Sequence, residues 1–207
     1  MAVYKTSNSG LLTRVTYSSF LAGNTAYVPP FEPTGAYDSI ATTTLTTSTA
    51  DITFTSIPST YKHLQIRFLA QCDNSATAAD NLAFRFNSDT GGNYTRHYID
   101  GAGGGGVATY GANANVSQVY ATCAQTSPTY PNVFGVGFLD ILDYSNTSKN
   151  TTTRAFSGVD FNGSGGAVQF TSGLWRNTAA ITSINIRALS GNLKQYSQFA
   201  LYGIKGD

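Results

Sequence analysis

From Tyr37 onward the chain alternates apolar and polar positions with a period of two, the spacing at which successive side chains leave opposite faces of a strand. Ile52 and Phe54 alternate with Thr53 and Thr55, and Ile57-Pro58-Ser59 ends the run. Leu64, Ile66, Phe68 and Ala70 alternate with His63, Gln65, Arg67 and Leu69, as do Leu82, Phe84 and Phe86 with Ala83, Arg85 and Asn87. Further strands are predicted over 96–99, 152–159, 167–172, 181–188 and 199–204. Residues 133–144 are apolar on both sides, with Phe134, Val136, Phe138 and Leu142 set against Leu139 and Ile141. That pattern predicts a central strand buried on both faces, or one that bends at Gly135 and Gly137. The turn-forming runs Asn87-Ser-Asp-Thr-Gly-Gly92, Asn162-Gly-Ser-Gly-Gly166 and Ser190-Gly-Asn192 punctuate the series. Eight or more short strands so spaced predict an all-β protein, an antiparallel two-sheet β-sandwich of jelly-roll type. No repeat of fixed period favours a propeller or a solenoid.

Residues 1–36 break the pattern. They hold Val28-Pro-Pro-Phe-Glu-Pro33, three of the six prolines, and no sustained alternation. Proline removes backbone donors and favours extended chain, so this stretch reads as an extended N-terminal arm ahead of a head domain over 37–207. Leu11, Leu12, Phe20, Leu21, Tyr27 and Phe31 are its apolar points, the expected contacts for anchoring or assembly.

Composition sharpens the class. Charged residues make up 11% of the chain, against roughly 25% in an average soluble domain. Thr, Ser, Asn and Gly take their place, together with 13 Tyr and 12 Phe. The net charge is +1, without a basic cluster longer than a pair, which argues against nucleic acid as a partner. No segment reaches the ~18 consecutive apolar residues of a membrane helix, and the first residues lack the pattern of a signal peptide. Cys72 and Cys123 are therefore expected as thiols in a reducing compartment, although they could pair. With no second pair or histidine nearby they make no zinc site, and no cofactor is expected.

The remaining motifs are weak. Gly101-Ala-Gly103-Gly-Gly-Gly106 matches G-x-G-x-x-G, but the following Val107-Ala-Thr-Tyr110-Gly-Ala-Asn is a poor helix and reads as more loop. His63 and His97 sit beside no serine in a nucleophile-elbow motif, so a hydrolytic triad has no support. Asp140 and Asp143 lie in the most apolar strand, yet a spacing of three sends them to opposite faces, which suits a glycosidase pair badly. A buried, hydrogen-bonded aspartate or an interface charge is the expected reading. The sole tryptophan, Trp175, could stack on a sugar with Tyr94, Tyr98, Tyr110 and Tyr120, although core or rim packing is the ordinary fate of such a residue.

Three stretches carry a resemblance. They are Ile52-Thr-Phe-Thr-Ser-Ile-Pro-Ser-Thr-Tyr-Lys-His-Leu-Gln-Ile-Arg67, Asn81-Leu-Ala-Phe-Arg-Phe-Asn-Ser-Asp-Thr-Gly-Gly-Asn-Tyr94 and the closing Phe199-Ala-Leu-Tyr-Gly-Ile-Lys-Gly206. Over residues 38–207 the chain resembles small virion- or tail-associated proteins of tailed bacteriophages, especially cyanobacterial and marine ones. The resemblance implies a place on the particle and no enzymatic residues. It implies a homo-oligomer, with a trimer the favoured form, docked on other virion proteins through the arm and possessing a head that meets a host-surface glycan or decorates a capsid. A carbohydrate-binding module and a polysaccharide hydrolase are the alternatives.

Overall fold

In a computed structural model of the protein, the described residues are 3–6, 12–15, 35–75, 78–103, 109–125, 130–163 and 165–206. They fall into two units, Met1–Ala36 and Tyr37–Asp207. In the first, β1 (Val3–Thr6) and β2 (Leu12–Val15) pair as an antiparallel ladder, a local order that the absence of alternation did not announce. Leu12 opens β2, whereas Leu11, Phe20, Leu21, Tyr27 and Phe31 lie outside the described residues.

The second unit holds β3 (Tyr37–Thr44), β4 (Asp51–Phe54), β5 (His63–Cys72), β6 (Ala79–Phe86), β7 (Tyr94–Ala102), β8 (Thr109–Val116) and β9 (Val119–Gln125), of which β8 and β9 are not among the predicted strands. They continue as β10 (Gly135–Leu142), β11 (Thr151–Asp160), β12 (Gly166–Trp175), β13 (Ile184–Ala188) and β14 (Gln198–Ile204). The ladders make two sheets: an eight-stranded one in the order β3-β14-β5-β10-β11-β12-β7-β8, and a four-stranded one in the order β4-β13-β6-β9. At one seam Gln71 and Cys72, the end of β5, pair in parallel with the end of β9.

The winding is a jelly roll. Counting β3, β4, β5, β6, β9, β10, β13 and β14 as its eight strands, the first sheet reads first-eighth-third-sixth and the second reads second-seventh-fourth-fifth. The other four strands enter as two hairpins, β7-β8 and β11-β12, and both widen the first sheet beyond β10. This widened half is what carries the site described below.

The inner faces are those that the alternation marks. Leu64, Ile66 and Phe68 of β5, Leu82, Phe84 and Phe86 of β6, Ile184 and Ile186 of β13, and Phe199 and Leu201 of β14 form one buried cluster. Two expectations need correction. Residues 133–144 do not form a strand buried on both faces: β10 keeps unbroken ladders to β5 and β11, with Leu139 and Ile141 inside and Val136 54% exposed on the far side. Residues 109–116, read as loop, are the edge strand β8. Its Tyr-Gly-Ala-Asn-Ala-Asn sequence has no apolar rhythm, because almost all of it faces solvent and its ladder to β7 holds it in place.

Candidate interaction surface

The face of the eight-stranded sheet turned away from the core is unusually apolar, since an antiparallel sheet with one solvated side ordinarily alternates to polar residues there. Residues paired directly across a ladder share a face, so the register defines its rows. One row runs Arg67, Phe138, Phe156, Phe170, Ile99, Tyr110 across β5, β10, β11, β12, β7 and β8. The next, two residues along each strand, runs Leu69, Val136, Gly158, Val168, Gly101. Phe156, Phe170, Ile99, Val136 and Val168 are each 46–54% exposed. Phe138 and Phe156 lean on one another with ring centroids 6.3 Å apart. Glycine at 158 and 101 floors the second row and opens a shallow groove of about 710 Å³ whose walls include Phe134, Val136 and Val168.

A polar row borders these two on the other side: Gln65, Asp140, Arg154, Ser172, His97. Its charges are bonded internally. Gln65 Nε2 donates to Asp140 Oδ1 at 2.7 Å, and Arg154 Nε donates to Asp140 Oδ2 at 2.7 Å. Arg67 Nε donates to Gln65 Oε1 at 2.7 Å, while its guanidinium sits 5.1 Å from the Tyr37 ring and 4.9 Å from the Tyr202 ring. On β5, β10, β11 and β12 the outward-facing charges are thus two arginines, Arg67 and Arg154, against two aspartates, Asp140 and Asp160. The face is electrically balanced.

The five aromatic residues considered for a sugar platform do not form one exposed surface. Trp175 and Tyr94 are core residues, 1% and 0% exposed, stacked at 6.2 Å with Phe86 edge-on to the indole at 5.6 Å. The indole Nε1 donates to Asp89 Oδ2 at 2.8 Å, and Gly91 N and Asn93 Nδ2 donate to the same carboxylate. Burial pushes the Asp89 carboxyl up, but those three hydrogen bonds outweigh it and hold the group below its ordinary value. Burial also raises the Tyr94 phenol well above its usual range. Tyr98 lies on the opposite side of the sheet from the apolar rows, and Tyr120 belongs to the four-stranded sheet. Both rings are occupied by Arg96, whose guanidinium lies 4.0 Å from Tyr120 and 4.9 Å from Tyr98. Burial lowers the pKa of that guanidinium. Tyr110 alone of the five is open, 87% exposed on the edge strand. The packing reading is the one that holds for Trp175 and Tyr94, because rings this large stabilise most when both faces are covered.

The carboxylates considered for hydrolysis are both engaged. Asp140 is held as above. Asp143, just past β10 in a left-handed conformation with φ 49°, pairs with Lys62 at 2.9 Å and with Lys149. Hydrogen bonds from Lys149 and then Lys62 hold its carboxyl down at about 2. His63 Nδ1 accepts from the Asp143 backbone N–H at 2.9 Å, and His97 stands exposed on the outer face. The glycine motif leads into strand β8, where a nucleotide site needs a helix. Cys72 is buried in the core. Among the described residues no three His, Cys, Asp or Glu side chains group as metal ligands, and no helix is long and apolar enough to cross a membrane. A small polar cavity of about 90 Å³ is lined by Asp80, Asn81, Asp100, Thr122 and Gln169. Asp80 there already accepts from the Asn81 and Ser190 amides, and the space suits a few waters.

The outer-face residues Phe156, Phe170, Ile99 and Val168 were not singled out by sequence. The available signal was the two-sided apolarity of 133–144, which marked β10 as a strand wanting partners on both faces. The fold thus defines the class, a jelly-roll β-sandwich with one wide apolar outer face. Beyond that class, no family model, no curated protein and no solved structure matches the chain.

Proposed function

We propose that the chain is a bacteriophage virion structural protein: a surface-displayed jelly-roll head, built to assemble in several copies and attached through its N-terminal unit. The observation that carries the reading is the outer face of the eight-stranded sheet, where two apolar rows cross up to six strands and leave about half of Phe156, Phe170, Ile99, Val136 and Val168 in water. A protein that works alone rarely keeps a continuous apolar patch of several hundred Å² exposed, whereas an assembly subunit buries one on its neighbours. The low charge of the chain and its resemblance to tail- and virion-associated proteins point the same way. A separate unit, Met1–Ala36, precedes the head in the chain and suits attachment.

The test is localisation on particles. Antibodies raised against the full chain should label intact phage particles by immunogold electron microscopy, and the chain should co-sediment with gradient-purified particles in fixed stoichiometry. A chain found only in the unassembled lysate fraction overturns the reading. Trp175 and Tyr94, considered for a sugar platform, are internal and lend the sugar-binding alternative no support.

A further inference from the structure

We infer that the small polar cavity shared by the two sheets of the head is a calcium site. Asp80 and Asn81 of β6, Asp100 of β7, Thr122 of β9 and Gln169 of β12 line its volume of about 90 Å³. The register builds it from two cross-strand pairs. Asn81 lies opposite Thr122 in the four-stranded sheet, and Gln169 lies opposite Asp100 in the eight-stranded one. Each pair shares a face, so four strands distant in sequence close on one space.

Three oxygens at this cavity have no partner. Asp100 Oδ1 and Asn81 Oδ1 are buried and accept no hydrogen bond. Thr122 is 5% exposed; its backbone N–H donates to Ser157 Oγ, and among the described residues its hydroxyl is left unpaired. Asp80 is 8% exposed, and its two oxygens accept one amide each, from Asn81 at 2.8 Å and from Ser190 at 3.0 Å. Each of those oxygens has a further lone pair. Among the described residues no lysine, arginine or histidine pairs with Asp80 or Asp100. Carboxylates withdrawn from water without a side-chain counter-charge call for a bound cation. The cavity offers oxygen ligands and neither cysteine nor histidine, which selects a hard cation over zinc. Two negative charges match a divalent ion. Calcium accepts an irregular shell of roughly six to eight oxygens, whereas magnesium demands an octahedron and keeps several of its own waters. The volume is about three times the ~30 Å³ share of one liquid water, room for the ion and one or two waters that complete its shell.

The experiment uses the isolated full chain, so its result stands apart from the particle assignment. Chain stripped with a chelator and titrated with calcium chloride in a calorimeter should bind one ion per chain, with a Kd of roughly 10⁻³ M or tighter. The urea midpoint read from Trp175 fluorescence should rise with calcium, because the ion binds only the folded cavity. Asp100→Asn, checked for native circular dichroism, should weaken binding by about tenfold or more and abolish the rise. Thr122→Val keeps the shape, removes the hydroxyl and should weaken binding by less; it decides the matter if Asp100→Asn does not fold. Asp51→Asn, at an exposed carboxylate outside the cavity, should bind as the wild type does. Absence of calorimetric binding and of a midpoint shift at millimolar calcium overturns the inference. So does unchanged affinity in Asp100→Asn, or in Thr122→Val where it stands alone, and so does magnesium chloride raising the midpoint as far as calcium chloride does.

Discussion

Asp89 offers the sharpest test of how the head is held together. It sits in the β6–β7 turn and accepts from Trp175 Nε1 at 2.8 Å, Gly91 N at 2.9 Å and Asn93 Nδ2 at 3.0 Å. Asp89→Ala removes that acceptor. Gly91 and Asn93 can turn to water, but the indole N–H belongs to a side chain only 1% exposed and is left unpaired. An unsatisfied buried donor costs about 1–3 kcal/mol, and loss of the turn bond adds about 0.5–1 kcal/mol, so the expected destabilisation is about 1.5–4 kcal/mol. Asp89→Asn keeps a neutral acceptor for the indole and should cost about 1 kcal/mol, the share that comes from charge. Trp175 is the sole tryptophan, so urea unfolding followed by its fluorescence reports on this site and on the second unit. With a slope of about 2–3 kcal/mol per molar urea, Asp89→Ala should lower the midpoint by about 1 M. The sign with pH follows from a carboxyl held below its ordinary value of 3.8. Its contribution is fully present above that pH and fades as pH falls through the lower folded-state pKa. The gap between wild type and Asp89→Asn should therefore narrow in acid. A midpoint for Asp89→Ala within about 0.2 M of wild type at neutral pH refutes the reasoning, because 1–3 kcal/mol cannot hide in so small a shift.

Other outcomes follow from neighbouring features. Asp143, depressed to about 2 by Lys149 and Lys62, stabilises the fold above its ordinary pKa of 3.8 and loses that contribution between about 4 and 2. Asp143→Asn should flatten that acid limb of a stability-against-pH curve, and an unchanged limb removes Asp143 from the account. Asn87 Oδ1 accepts from the Thr182 and Ser183 amides while its Nδ2 donates to Ala180 O, clasping the β6 end to the loop before β13. Asn87→Ala should cost about 1–3 kcal/mol by chemical denaturation, and Asn87→Asp, which keeps the acceptor, should cost less. At Gly173 an added Cβ would meet Val119 Cγ1 at 2.4 Å and Thr153 Oγ1 at 2.5 Å. Gly173→Ala should therefore destabilise by about 1–3 kcal/mol, and a neutral result means that β9 is free to shift. Tyr110→Ser, at a position 87% exposed, should change stability by less than about 0.5 kcal/mol, read from the same denaturation curves.

The strands of the head, and which of their faces turn inward, are legible in the order of residues. Period-two alternation in 63–70 and 82–87 marked Leu64, Ile66, Leu82, Phe84 and Phe86 for the core, and each is fully buried. A local pattern can do this because the pleat ties side-chain direction to residue parity. The pattern also carries the class, since many short strands that each need a covered face close most readily as two stacked sheets. Strand β8 escaped because an edge held through its backbone ladder leaves no trace in side-chain hydropathy. What remained came from contacts between distant segments. Trp175, Tyr94 and Asp89 are assembled from β12, β7 and the β6–β7 turn, and only pairing shows that the indole reaches a carboxylate rather than a sugar. The apolar rows of the outer face exist only in the register that aligns Phe138, Phe156, Phe170 and Ile99 across four strands. Hydrogen bonds between segments far apart in the chain turn these side chains into one surface, and pairing of that kind is a property no local periodicity encodes.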